Sequence, residues 1–324
     1  MLCLKSLLCL KSLDSHTTLL YKLVNQSGAG MTNSAIFLTA VCLVLTFGEK
    51  TRSQVSVQPP STTNAPEVQA PKVVGFAPIG DVQMYYELHG RGEPILFIHG
   101  GGGSIRSWTD AYVAGLSGDF MVIMADSRGQ GNSTEGAGPI TYGRLAFDTV
   151  RLLDHLGIAR AHVVGHSSGG IAALYLLVHF PDRVKTATLM GTLYHVDNYR
   201  PESYEQMKRS LEAQLRDAAS ETGAKPAGPG SRSTPASVLK KFQSAWLTEP
   251  TFTLSMLETI SRPTLIVKAG RDRYMAPDIA DSMHAHIKGA ELISFPDAAH
   301  NVQGTNSKEI IPAIRDFIAR RSKE

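Results

Sequence analysis

Short apolar runs recur along the chain from about residue 73 onward, and longer amphipathic stretches separate them. Seven runs have the length of buried strands: Val82–Gly90, Pro94–Gly100, Phe120–Asp126, Ala161–His166, Val184–Gly191, Pro263–Gly270 and Ala290–Pro296. Helical patterns occupy Thr141–Ile158, Gly169–Phe180 and Ser307–Arg321. Apolar strands that alternate with helices are typical of a mostly parallel sheet with helices on both faces. The pattern predicts a doubly wound α/β domain over residues 73–324.

Residues 192–261 break this rhythm between two predicted strands. The interval begins with a polar helical stretch (residues 201–219), continues with a loop rich in Gly, Pro and Ser, and ends with the amphipathic segment Val238–Leu247. A long insertion between neighbouring strands of a packed sheet is typical of an active-site lid. We therefore expect a small helical cap at about 192–261, with an irregular middle.

The segment before residue 73 has a different character. Ala35–Phe47 is an uncharged apolar run, too short to span a bilayer comfortably, and Thr46 and Gly48 suit a signal-peptidase site. Residues 1–48 are thus predicted to be an N-terminal extension with a signal peptide at about 31–48, and Met1 and Met31 are both candidate starts. Residues 49–72, rich in Pro, Ser, Thr and Gln, are predicted to be a disordered linker.

These features predict a secreted or periplasmic protein with no stable membrane span in its mature form. A lipoprotein anchor at Cys42 is disfavoured because Val41 is bulkier than the residue that usually precedes a lipidated cysteine.

Charge and cysteine content exclude several classes of function. The chain of 324 residues has 19% charged residues and a net charge of +3, and it contains no basic block of the kind that binds nucleic acid. All three cysteines lie before residue 43. The predicted domain therefore has no disulfide, thiolate nucleophile or cysteine metal site, and we expect neither a metal nor an organic cofactor.

The sequence HVVGHSSGG (His162–Gly170) connects a predicted strand to a predicted helix. It matches the Gly-x-Ser-x-Gly turn that exposes a nucleophilic serine above a sheet, here Ser167. Gly165 and Gly169 allow the strand and the helix to pass closely. The backbone N–H of Ser168, at the start of the helix, is a candidate oxyanion donor. Alone, the motif also fits an ordinary turn.

A nucleophilic serine needs a base and an acid that orients it. In the chain order of this motif, Ser–Asp–His, the base follows the last strand, where SFPDAAHNVQ contains His300. Asp272, in KAGRDRYMAP after the preceding strand, is the preferred acid, and Asp197 is the alternative.

The glycine run of FIHGGGGS (Phe97–Ser104) supplies candidates for the second oxyanion donor. Gly101 is the first choice and Gly102 the next. The run could also cradle a phosphate, but it lacks the spacing of both a Walker loop and a dinucleotide fingerprint.

Together these segments resemble the α/β-hydrolase superfamily, in its branch of serine esterases, lactonases and C–C bond hydrolases with a helical cap. The resemblance rests on His99-Gly100, DSRGQGNS (Asp126–Ser133), GHSSGG, Asp272 and His300. It implies a structural role for the Asp126–Ser133 loop. The acid departs from the pattern, since Asp272 follows Gly270 by two residues instead of three.

The resulting prediction is a serine carboxylesterase for small to medium substrates, with Ser167, Asp272 and His300 as its triad. A lactonase, a C–C bond hydrolase and a cofactor-free perhydrolase are alternatives, and a ligand receptor on the same fold is a more distant one. The expected partner is a small ester or lactone, and the oligomeric state is left open. Three aromatic residues are candidate substrate contacts: Trp108, Tyr194 and Trp246.

Overall fold

The computed structural model describes residues 73–220 and 236–321. The predicted signal peptide and its extension (1–48), the predicted linker (49–72) and the middle of the predicted cap (221–235) lie outside the described residues. They stay predictions.

An eight-stranded sheet forms the centre of the described part of the chain. Its strands are β1 (Val73–Ile79), β2 (Val82–His89), β3 (Glu93–Ile98), β4 (Phe120–Ala125), β5 (Ala161–His166), β6 (Val184–Met190), β7 (Thr264–Ala269) and β8 (Glu291–Phe295). Their spatial order is β1-β2-β4-β3-β5-β6-β7-β8. Pairing is parallel from β4 to β8, while β1–β2 and β2–β4 are antiparallel. The predicted mostly parallel sheet is confirmed.

Among the described residues, nine α-helices accompany the sheet. They are α1 (Asp110–Leu116), α2 (Tyr142–His155), α3 (Ser168–His179), α4 (Pro201–Ser220), α5 (Ala236–Thr248), α6 (Leu254–Glu258), α7 (Ile279–His286), α8 (Val302–Thr305) and α9 (Ser307–Arg321). Helices α2, α3 and α7 contribute to one apolar core, and α1 and α9 to a second. The sheet is thus covered on both faces, which makes the fold doubly wound.

Strand β1 was absent from the predicted set of strands. Its side chains are mostly exposed, including Val73, Val74 and Phe76, so it lacks the continuous apolar run of a buried strand. It pairs with β2 through the two-residue turn Gly80–Asp81, in which Gly80 has φ 59°. A Gly-x turn between two strands is a hairpin signal, and it could have predicted this strand.

Three helices, α4 to α6, lie between β6 and β7, where the sequence predicts the cap. Helices α4 and α5 contact each other, and the Tyr204 hydroxyl donates a hydrogen bond to the carbonyl of Leu247 (2.9 Å). Val238, Phe242 and Ala245 of α5 are buried against the main core. This apolar contact fixes α5 beside the carboxyl ends of the strands.

None of the helices in residues 73–220 and 236–321 has the length and apolar character needed to cross a bilayer.

Candidate active site

Ser167 occupies a turn of unusual geometry between β5 and α3. Its φ of 54° and ψ of −121° make it the one non-glycine residue with positive φ in the described part of the chain. Such a conformation costs about 1–3 kcal/mol and persists only where the surroundings impose it. A side chain at Gly165 would overlap the carbonyl of Gly169, and one at Gly169 would overlap the carbonyl of Ile98. The close crossing of strand and helix thus holds Ser167 at the turn, above the sheet.

Asp272 and His300 form a hydrogen-bonded pair beside this turn. The Nδ1 atom of His300 lies 2.7 Å from Oδ2 of Asp272, and the other carboxylate oxygen accepts the N–H of Tyr274 (2.8 Å). Burial would raise the pKa of Asp272, but the hydrogen bond and charge of His300, with the N–H groups of Tyr274 and Met275, lower it below its ordinary value. Asp272 is therefore a carboxylate that holds the imidazole by Nδ1 and leaves Nε2 free.

Asp197, the alternative acid, lies elsewhere. Its side chain is 85% exposed and contacts His195, at 3.3 Å. Asp272 reaches His300 even though it follows Gly270 by two residues instead of three.

The backbone N–H groups of Ser168 and Gly101, both near Ser167, have no hydrogen-bond partner within the described residues. Ser168 is the first residue of α3, so its N–H has no acceptor in the helix. In the glycine run, Gly103 donates to the carbonyl of Gly100 (3.1 Å), and Gly102 donates to Oε1 of Gln130 (2.6 Å). Gly102 is thus engaged, whereas the N–H of Gly101 has no partner among the described residues.

His99 and the loop after β4 hold the glycine run in place. Nε2 of His99 accepts the N–H of Ser127 (3.0 Å), so the proton is on Nδ1, which donates to the carbonyl of Gly100 (2.8 Å). Asp126 accepts the N–H of Ile105 (2.7 Å). The bonds made by Ser127, Ile105 and Gln130 span 28, 21 and 28 residues. The motif Asp126–Ser133 therefore predicts a structural loop, but it does not predict the partners of that loop.

His166 links the end of β5 to the loop that carries His300. The sequence analysis did not predict this role. It is the last residue of β5, 7% exposed, and its Nε2 lies 2.9 Å from the carbonyl oxygen of His300. A carbonyl only accepts, so Nε2 is the donor. Burial, together with the charge of His300, lowers the pKa of His166 to about 4. His166 is therefore a neutral donor that fixes the backbone of His300 next to Ser167.

Removing this donor should misplace His300. We expect His166→Leu to lower kcat/KM for a simple ester by up to about 10²-fold, the cost of an ångström-scale displacement of a catalytic group. His166→Gln keeps an N–H near the position of Nε2 and should recover most of the loss. Equal losses in the two variants, both with wild-type melting temperatures, would show that the ring packing matters and the hydrogen bond does not.

Ser167, Ser168 and His300 line one cavity of about 640 Å³, between the strand ends and the cap helices. Trp246, a predicted substrate contact, lines it too. The two other predicted aromatic contacts are not in its wall. Trp108 is buried against Phe97 and Tyr112 at ring distances of 5.0 and 5.2 Å, so it is a core residue. Tyr194 directs its hydroxyl toward Ser282 (3.3 Å).

Four residues that sequence analysis did not single out complete much of the wall: Tyr199, Met207, Tyr274 and Met275. Tyr274 packs edge-on against the ring of His300, with ring centres 4.8 Å apart. Within the described residues, no group of three His, Cys, Asp or Glu side chains is arranged to hold a metal ion.

Residues 93–229 match a family model described as the alpha/beta hydrolase fold. The chain has the α/β-hydrolase fold. The proposed carbamate hydrolase RutD of Azorhizobium caulinodans is 37% identical over 136 residues, or 42% of this chain and 51% of that protein. The chain spans about half the length of the curated relatives it matches.

Solved structures extend the likeness to most of the α/β-hydrolase domain. An esterase from Thermogutta terrifontis superposes with a TM-score of 0.63 at 23% identity, covering 78% of this chain and 99% of that one. The enol-lactonase of Burkholderia xenovorans gives 0.59 at 21% identity, covering 75% and 99%. At these identities, the likeness concerns the fold.

Proposed function

We propose that this α/β hydrolase is a serine carboxylesterase that acts on small to medium esters through an acyl-enzyme. The observation that carries the proposal is the convergence of Ser167 and His300 on one cavity, with Asp272 bonded to the far side of the imidazole. Fold alone does not choose an activity, so the proposal rests on these side chains.

In the first half of the reaction, Oγ of Ser167 attacks the ester carbonyl and its proton passes to Nε2 of His300. Asp272 holds the ring in the required tautomer and stabilises the imidazolium. His300 then gives the proton to the leaving alcohol as the C–O bond breaks, which leaves the acyl group on Ser167.

The negative charge that develops on the carbonyl oxygen requires fixed donors. The N–H groups of Gly101 and Ser168 have no partner among the described residues and can serve as these donors, and Ser168 is the first residue of α3, whose N-terminus favours negative charge. In the second half, a water molecule gives its proton to His300 and attacks the acyl carbon. His300 then returns this proton to Oγ of Ser167 as the bond between Oγ and the acyl carbon breaks, which releases the acid and restores the hydroxyl.

The cavity supports the size of substrate. A volume of about 640 Å³ lies within the range of about 300–1,000 Å³ that is usual for small-molecule sites. Esters with short to medium acyl chains fit such a volume.

A panel of 4-nitrophenyl esters with acyl chains of increasing length, together with lactones and an aryl carbamate, tests the proposal. We expect steady turnover of esters, which a serine-directed phosphonate abolishes. Turnover of lactones or carbamates without esters would move the assignment to those substrates. Binding or a single acylation without turnover would contradict the proposal and favour a receptor.

A further inference from the structure

Polar side chains that the proposed mechanism does not use surround Gly101. A methyl group added to Gly101 would lie 2.8 Å from Oγ of Ser168 and 3.4 Å from Nε1 of Trp246. Both residues line the cavity. The indole N–H of Trp246 makes no hydrogen bond to another described residue, and an indole N–H can only donate. The hydroxyl of Ser168 and the indole N–H of Trp246 thus both lie next to Gly101, in the proposed oxyanion hole.

Two tyrosines extend this polar group away from Ser168. Tyr142 is completely buried, and its hydroxyl has no partner at normal hydrogen-bond distance among the described residues. Burial raises the pKa of this hydroxyl well above its ordinary value, and Tyr199, Ser168 and Glu249 lie near enough to influence it. Tyr199 lines the same cavity as Ser168. The enclosed Tyr142 thus lies close to two residues of the cavity wall, Ser168 and Tyr199.

The polar groups beside Gly101 determine which ligand this end of the cavity can bind. Ser168 lines the cavity, and its hydroxyl can donate one hydrogen bond there. With the indole N–H of Trp246, this end of the cavity presents two donors. Its best ligand is therefore a hydrogen-bond acceptor.

The position of Ser168 limits which part of the substrate can carry the acceptor. The backbone N–H of Ser168 is a proposed oxyanion donor, and its hydroxyl belongs to the same residue. An atom bound to that hydroxyl must therefore lie close to the scissile carbonyl. We propose that Ser168, Trp246 and Tyr199 form an acyl subsite for an oxygen acceptor, an ether, hydroxyl or keto oxygen one or two carbons from the scissile carbonyl. This inference rests on the proposed esterase function and names its substrate class.

Two esters of nearly the same shape provide the probe. In 4-nitrophenyl methoxyacetate, an ether oxygen replaces the third-carbon methylene of 4-nitrophenyl butanoate. The measured quantity is the ratio of kcat/KM for methoxyacetate to kcat/KM for butanoate. Comparing this ratio between variants cancels the different intrinsic reactivity of the two esters. We expect Ser168→Ala and Trp246→Phe each to lower the ratio about fivefold, as for one neutral hydrogen bond.

Trp246→Phe retains a ring to stack on Phe242, whose centre is 5.2 Å from that of Trp246. The matched control is Tyr194→Phe, which removes a tyrosine hydroxyl outside the cavity wall and should leave the ratio unchanged. Melting temperatures and phosphonate labelling of Ser167 identify any misfolded variant.

An unchanged ratio in both folded variants would overturn the subsite while the esterase function stands. Failure of the wild-type protein to hydrolyse either ester would instead overturn the proposed function, and the subsite with it.

Discussion

Ser167→Ala should lower ester hydrolysis by about 10⁶-fold, because it removes the nucleophile and leaves only binding and oxyanion stabilisation. The strained turn predicts that its neighbour behaves differently. Ser168→Ala keeps the backbone N–H and should cost no more than a few fold on a simple alkyl ester. Ser168→Pro deletes that N–H and should cost at least about 10²–10³-fold.

Initial rates on 4-nitrophenyl butanoate measure these three effects. Mass spectrometry of the phosphonate-labelled peptide identifies the reactive hydroxyl independently of rates. We expect the label on Ser167. A label on Ser168, or full activity in Ser167→Ala, would reduce the turn to a structural element.

Asp272→Asn should lower kcat by about 10⁴-fold, because the amide cannot hold His300 in the tautomer that accepts a proton from Ser167. The amide is nearly isosteric with the carboxylate, so the fold should survive. Asp197→Asn is the control, since its side chain is exposed and contacts His195 instead of His300. A large loss in Asp197→Asn together with a nearly silent Asp272→Asn would transfer the acid role to Asp197.

Local chain geometry explains what could be predicted from sequence. The turn at Ser167 depends on glycines two residues away on each side, and strand–helix alternation shows in a window of about ten residues. The roles of Gln130 and His166 depend on hydrogen bonds that span 28 and 134 residues. The local motifs contain both residues, but they do not indicate the distant partner of either one.

The roles of the two tryptophans also could not be predicted from sequence. Trp108 and Trp246 both follow segments that bear on the site, and their side-chain chemistry is identical. Packing of α1 against the sheet buries Trp108 beside Phe97, whereas the position of α5 leaves Trp246 at the cavity wall. Only the tertiary arrangement separates them.

The position of helices α4 to α6 in the chain allows the substrate contacts to change separately from the proposed reacting groups. Ser167 precedes helices α4 and α5, and Asp272 and His300 follow them, so the proposed reacting groups are all carried by the sheet scaffold. Doubling the length of an inserted segment costs only about 0.6 kcal/mol in loop closure. The insertion can therefore be exchanged or lengthened with little effect on folding, while Met207 and Trp246, which it carries, change with it. New substrate preferences can thus arise without rebuilding the chemistry.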